Sequence, residues 1–158
     1  MAELPELDMP WMTEQTTHIV LSAVDGEGER CVDLLTEIGE RYGGHGVYCL
    51  CCALAEAIAR MAEYKRDDDP GNGQWGLRIE HVERGRIEPE DLTDDTKPML
   101  QAMRFVTAWL NSDSEQTLAL FYAAETPKDA VIIPTGLIKL VGIYGRYRLE
   151  QGADDADA

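Results

Sequence analysis

No apolar run in these 158 residues approaches the ~18 to 20 needed to span a bilayer. The opening MAELPELDMP is acidic and proline-broken, unlike a signal peptide, so the sequence predicts a cytoplasmic protein with no membrane partner. Reaction signatures are missing too. There is no Walker phosphate loop and no GxSxG, HExxH or SxxK pattern, and the expectation is a non-enzyme. Only four cysteines occur, too few for a disulfide framework in a chain this long and consistent with a reducing compartment. Basic residues are also scarce, 14 against 30 acids, for a net charge of −16. Such a surface repels phosphates and anionic lipids, so no direct nucleic-acid binding is expected.

The charge is segregated. Residues 1–45 carry −8, the segment 67–96 carries −7 and the tail from 150 carries −4, while 46–66 and 97–149 come out at +1 and +2. The near-neutral stretches also hold most of the helical periodicity. Cys31, Leu34, Leu35, Ile38 and Tyr42 recur at three- and four-residue steps and define one helix, ended by Gly43 and Gly44. A second helix covers 46–65. A third follows a Thr96 or Asp95 cap, with Pro98 in its first turn and a face of Met99, Ala102, Met103, Val106, Trp109 and Leu110. A fourth starts at Ser112, with Glu115 completing a capping box.

Three segments are harder to assign. HIVLSAV at 18–24 suits a short strand or a helical turn. VIIP at 131–134 favours a strand or a break. The segment 131–149 fits helix or strand, and helix is preferred although Gly142 and Gly145 weaken both. The sum is an all-α, single-domain helical bundle of about four to six helices. Residues 1–12 and 150–158 are expected to be flexible, and 67–96 to form a long polar connector. Alternation at Trp75, Leu77 and Ile79 leaves room there for a small β-hairpin. The connector's DDDPGNGQWG is no calcium loop, because Pro70 and Ile79 fall where side-chain oxygens are required.

The densest chemistry lies in GHGVYCLCCALAE at 44–56. On a helix, Val47, Leu50, Cys51, Leu54, Ala57, Ile58 and Met61 share one face, while His45, Cys49, Cys52 and Glu56 share the other. His45, Cys49 and Cys52 are candidate ligands for zinc, or candidate reactive thiols if the first-turn dipole lowers the pKa of Cys49. Against this, one straight helix cannot surround an ion, and free cysteine packs as a small hydrophobe. The favoured reading is therefore a slim buried helix with no cofactor.

Two readings of partners follow. The first is an accessory or regulatory factor, of a type common among phage and mobile-element products, that binds a basic protein surface through Asp67, Asp68, Asp69, Glu88, Glu90 and Asp91. A cluster of Lys139, Tyr144, Arg146 and Arg148 serves either an acidic partner or helix-end charge complementation. The second is the Cys/His site protein. A DNA-mimic inhibitor is a further alternative, although the acids crowd segments that look like loops and ends. Oligomerisation is compatible with either reading.

Overall fold

The computed structural model describes residues 3–62, 80–81, 85–86 and 97–156. It is an all-α bundle: α1 (Met9–Val24), α2 (Gly28–Met61), α3 (Lys97–Leu110), α4 (Ser114–Tyr122), the single turn α5 (Pro127–Ala130) and α6 (Ile132–Ala156). Two-residue strands β1 (Glu80–His81) and β2 (Gly85–Arg86) pair antiparallel between α2 and α3. The alternating residues 75, 77 and 79 lie outside the described residues. No helix among the described residues is long and apolar enough to cross a membrane.

Helix α1 begins earlier than the apolar run 18–24 implied. Asp8 caps it, its Oδ1 accepting the Trp11 N–H at 3.1 Å, and Pro10 occupies the first turn. This Asp-x-Pro signal takes the chain into helix at Met9, so part of the N-terminal segment expected to be flexible is ordered helix, and HIVLSAV is helical rather than a strand. The segment is anchored further by the Asp8 N–H, which donates to the Tyr42 hydroxyl at 3.1 Å. The Arg41 guanidinium stacks over Trp11 at 4.4 Å, in the geometry of a cation–π contact.

Helix α2 is two helices joined at a kink, as the Gly43-Gly44 pair predicted. Gly43 adopts φ 61°, ψ −154°, a region essentially closed to residues with a Cβ. Beyond the kink, Gly46 sits so close to the preceding turn that a Cβ on it would lie 2.5 Å from Tyr42 Cβ. The second half sinks into the core. Leu50, Cys51, Leu54, Ala55 and Ile58 are fully buried.

Helix α4 starts one residue later than expected. Asp113, not Ser112, is the cap, its Oδ1 accepting the Gln116 N–H at 2.9 Å. Ser112 takes φ 56°, a left-handed conformation that turns the chain between α3 and α4 and is incompatible with capping from that position.

Residues 132–149 are helical, and after the turn at Val131 the rest of VIIP opens α6 instead of forming a strand. Pro134 falls in the first turn, where a missing N–H costs nothing. The helix then continues through Ala156, beyond the point where the tail was expected to loosen. Gly142 and Gly145, which weakened the helical reading, join Gly136 in letting α6 sit centrally. It packs on α1, α2, α3 and α5. A Cβ at Gly136 would lie 2.1 Å from the Pro98 carbonyl oxygen of α3, and one at Gly142 would lie 2.8 Å from the Ala23 carbonyl oxygen of α1. Their side-chain-free surfaces let backbones approach, and the area gained by burying Leu137, Leu140 and Val141 outweighs the ~1 kcal/mol lost per glycine in helix propensity. The second half of α2 thus shares the centre of the bundle with α6.

Candidate functional site

Cys51 is fully buried among the core apolar residues, and burial pushes its thiol well above the ordinary 9.0. Cys49 and Cys52 are half-buried and diverge. Cys49 faces α1, sharing a cleft with Met12 and Thr16. Cys52 lies one turn from Tyr48, and burial pushes its thiol up. Burial also raises Cys49, which lies past the first turn after the kink. The shift is opposite in sign to the dipole-lowered thiol of the alternative reading, because at a second-turn position desolvation is the dominant influence.

The stripe of His45, Cys49, Cys52 and Glu56 does not converge. Glu56 turns toward α3, where its Oε2 accepts the Trp109 indole N–H at 2.9 Å and its Oε1 the Arg60 Nε–H at 3.4 Å. Among the described residues, no three His, Cys, Asp or Glu side chains gather closely enough to hold a metal ion. All four cysteines are free.

Tyr48 organises the α2–α4 contact. Its ring packs edge-on against Phe105 and Phe121, at centroid distances of 6.2 and 5.3 Å. Its hydroxyl lies 3.0 Å from Thr117 Oγ1. Thr117 already donates to the Ser114 carbonyl at 2.9 Å, so with one hydroxyl hydrogen each, Tyr48 is the donor and Thr117 the acceptor. Thr117 is 1% exposed, and this pairing is what allows a hydroxyl to be buried there.

The basic-aromatic cluster is built into the fold. Arg146 Nη1 donates to the carbonyls of Ala23 and Val24, at 3.2 and 3.5 Å, at the C-terminus of α1. Arg148 Nε donates to the Met61 carbonyl at 2.7 Å, at the C-terminus of α2. The charge complementation expected at helix ends is thus realised on neighbouring helices. Each guanidinium satisfies carbonyls that have no partner inside their own helix and meets the negative end of the dipole. Tyr144 is half-buried, and Lys139 is exposed on the outer side of α6.

The carboxylates Asp67, Asp68, Asp69, Glu88, Glu90 and Asp91 lie outside the described residues. A second acidic feature lies inside them and was missed in the sequence. Glu29, Asp33, Glu37 and Glu40 are all exposed on the first half of α2. Their steps of four, four and three place them within an arc of roughly 80°, over about 16 Å of helix. The signal was available: they occupy the face opposite the Cys31–Leu35–Ile38–Tyr42 core stripe. None of the four is ion-paired among the described residues. The flanking cations are engaged elsewhere, Arg30 with Glu27 at 3.8 Å and Arg41 with Asp8 at 3.8 Å.

No known protein family, curated protein or solved structure matches the chain.

Proposed function

We propose that the protein is a non-catalytic accessory or regulatory factor that binds a partner protein through a basic surface on that partner. The observation that carries this reading is the carboxylate stripe Glu29, Asp33, Glu37 and Glu40. It is helical, solvent-facing and without an ion pair among the described residues, on a chain of net charge −16 whose Arg30, Arg41, Arg60, Arg146 and Arg148 are held by its own groups. Like charges held one turn apart repel, by a few tenths of a kcal/mol per pair. A complementary surface of lysines and arginines relieves that repulsion on docking and raises the association rate through long-range attraction. The sequence adds further acid at Asp67–Asp69, Glu88, Glu90 and Asp91.

The charge density favours a protein partner's site over nucleic-acid mimicry. Duplex DNA presents one charge per ~1.7 Å of axis, roughly nine over the length of this stripe, where the helix offers four. The test is affinity purification from the native host with the wild type and with a variant carrying Glu29→Gln, Asp33→Asn, Glu37→Gln and Glu40→Gln. A basic protein should be recovered with the wild type, lost with the variant, and released as salt is raised. Recovery of the same partner, at unchanged affinity, by the variant overturns the reading.

A further inference from the structure

We propose that Met9, Met12 and Cys49 form a three-sulfur site for a soft monovalent cation, Cu(I) being the physiological representative. The three residues line one cleft of about 180 Å³ between α1 and the second half of α2. Met9 and Met12 are three residues apart and so share a face of α1, with Cys49 on the opposing helix. The lining thus draws sulfur-bearing residues from two elements, which the His45–Cys49–Cys52 stripe does not.

The rest of the lining decides which cation fits. Thr13, Thr16 and Thr17 face the same cleft, but their hydroxyls donate back to the carbonyls of Met9, Met12 and Thr13, at 2.8, 2.8 and 2.9 Å. Their hydrogens are thereby committed to the helix backbone, leaving three neutral oxygens with no carboxylate to help them hold a hard ion. No carboxylate or imidazole lines the cleft among the described residues. Hard ions such as Mg²⁺ and Ca²⁺ need oxygen donors, and zinc prefers several thiolates or imidazoles. Two thioethers and one thiolate in an apolar setting select Cu(I).

Exposure fits capture from outside. Met12 is 4% exposed and forms part of the floor, whereas Met9 is 60% exposed at the mouth. A methionine side chain has three rotatable bonds and a polarisable sulfur, so Met9 can fold over an arriving ion. Binding is a simple exchange. The Cys49 S–H bond breaks, the proton leaves to solvent, the sulfur–copper bond forms, and both thioethers add lone pairs. No electron is transferred, because the metal arrives and remains as Cu(I).

The experiment is anaerobic titration of the full chain with Cu(I) against a chromogenic Cu(I) chelator, with X-ray absorption on the loaded protein. One Cu(I) per chain and an all-sulfur, three-coordinate spectrum are expected. Cys49→Ser should lose at least ~10- to 100-fold in affinity, the range seen when even the supporting shell of a metal site is removed. Met9→Leu, a near-isosteric change on an exposed side chain, should weaken binding and lower the sulfur coordination number while leaving the thermal melt unchanged. Cys52→Ser should bind like the wild type. Wild-type protein that takes up no Cu(I), a nitrogen ligand in the spectrum, or equal losses in Cys49→Ser and Cys52→Ser would overturn the site.

Discussion

Gly136→Ala puts the packing argument at its greatest risk. By helix propensity alone the substitution should help, since alanine exceeds glycine by about 0.8 to 1 kcal/mol in a helix interior. The α3–α6 crossing reverses that expectation. The added methyl would lie 2.1 Å from the Pro98 carbonyl oxygen, 2.6 Å from its carbonyl carbon and 2.8 Å from Ala102 Cβ. These are roughly 1 Å or more inside contact distance, and two of the three atoms are backbone, which cannot rotate away. Helix α3 must move off α6, loosening Ala102, Phe105 and Val106 in the core. Overpacking of this kind costs ~1 to 3 kcal/mol, with backbone clashes toward the top of the range. With the propensity gain subtracted, the net loss is about 2 kcal/mol. At ~2 to 4 °C per kcal/mol for a domain of this size, Tm falls by about 4 to 8 °C. Gly39→Ala is the matched control. It is also mid-helix, but its Cβ would meet only Val47 Cγ2 at an ordinary 3.7 Å, so Tm should rise. The assay is thermal unfolding followed by circular dichroism. A Gly136→Ala protein as stable as the wild type would refute the close α3–α6 crossing and the central placement of α6 with it.

At the α2 kink, Gly43→Ala forces a Cβ into a backbone region reserved for glycine and should cost ~1 to 3 kcal/mol in urea unfolding; an unchanged midpoint would mean the kink is absent. Cys51→Ser buries a hydroxyl in the core and should destabilise by ~1 to 3 kcal/mol, whereas Cys49→Ser, beside a cleft, should cost less, and equal costs would contradict the difference in burial. The pKa of Cys51 is raised by burial, so the folded state holds its proton longer than the unfolded chain does. Its contribution to stability is then complete below the unfolded value near 9.0 and declines as pH rises above it. Urea midpoints should fall above pH 9.0, and Cys51→Ala should flatten that fall; identical slopes in the two proteins would refute it. Arg148→Met keeps the apolar stem but removes the hydrogen bond to the Met61 carbonyl, and should lower stability by about 1 kcal/mol in the same assay.

Much of the secondary structure was legible in local pattern. The Cys31–Tyr42 stripe, the Gly43-Gly44 break, Pro98 in the first turn of α3 and the buried face Leu50–Cys51–Leu54–Ile58 follow from spacings within one or two turns. Those relations are geometric consequences of a 3.6-residue repeat, so a sequence displays them without knowledge of the fold. The start of α1 was equally local, an Asp-x-Pro cap masked by the acidic, proline-containing segment around it.

Other features depend on distances of tens to a hundred residues, which no short window contains. Gly142 and Gly145 read as helix-weakening in isolation, and only the approach of α1 turns them into points of contact. Arg146 and Arg148 could be recognised as helix-end cations, but not as caps on α1 and α2, whose terminal carbonyls arrive from residues 23, 24 and 61. Cys49 and Cys52 share a helix stripe, yet only Cys49 lines the cleft with α1. By itself, then, the chain determined that it would be a strongly acidic bundle of helices, because charge and periodicity are properties of residues and their near neighbours. Which small residues mark crossings, which cations close which helix ends and which sulfurs share a cleft were decided by the packing, because those relations exist only once distant segments touch.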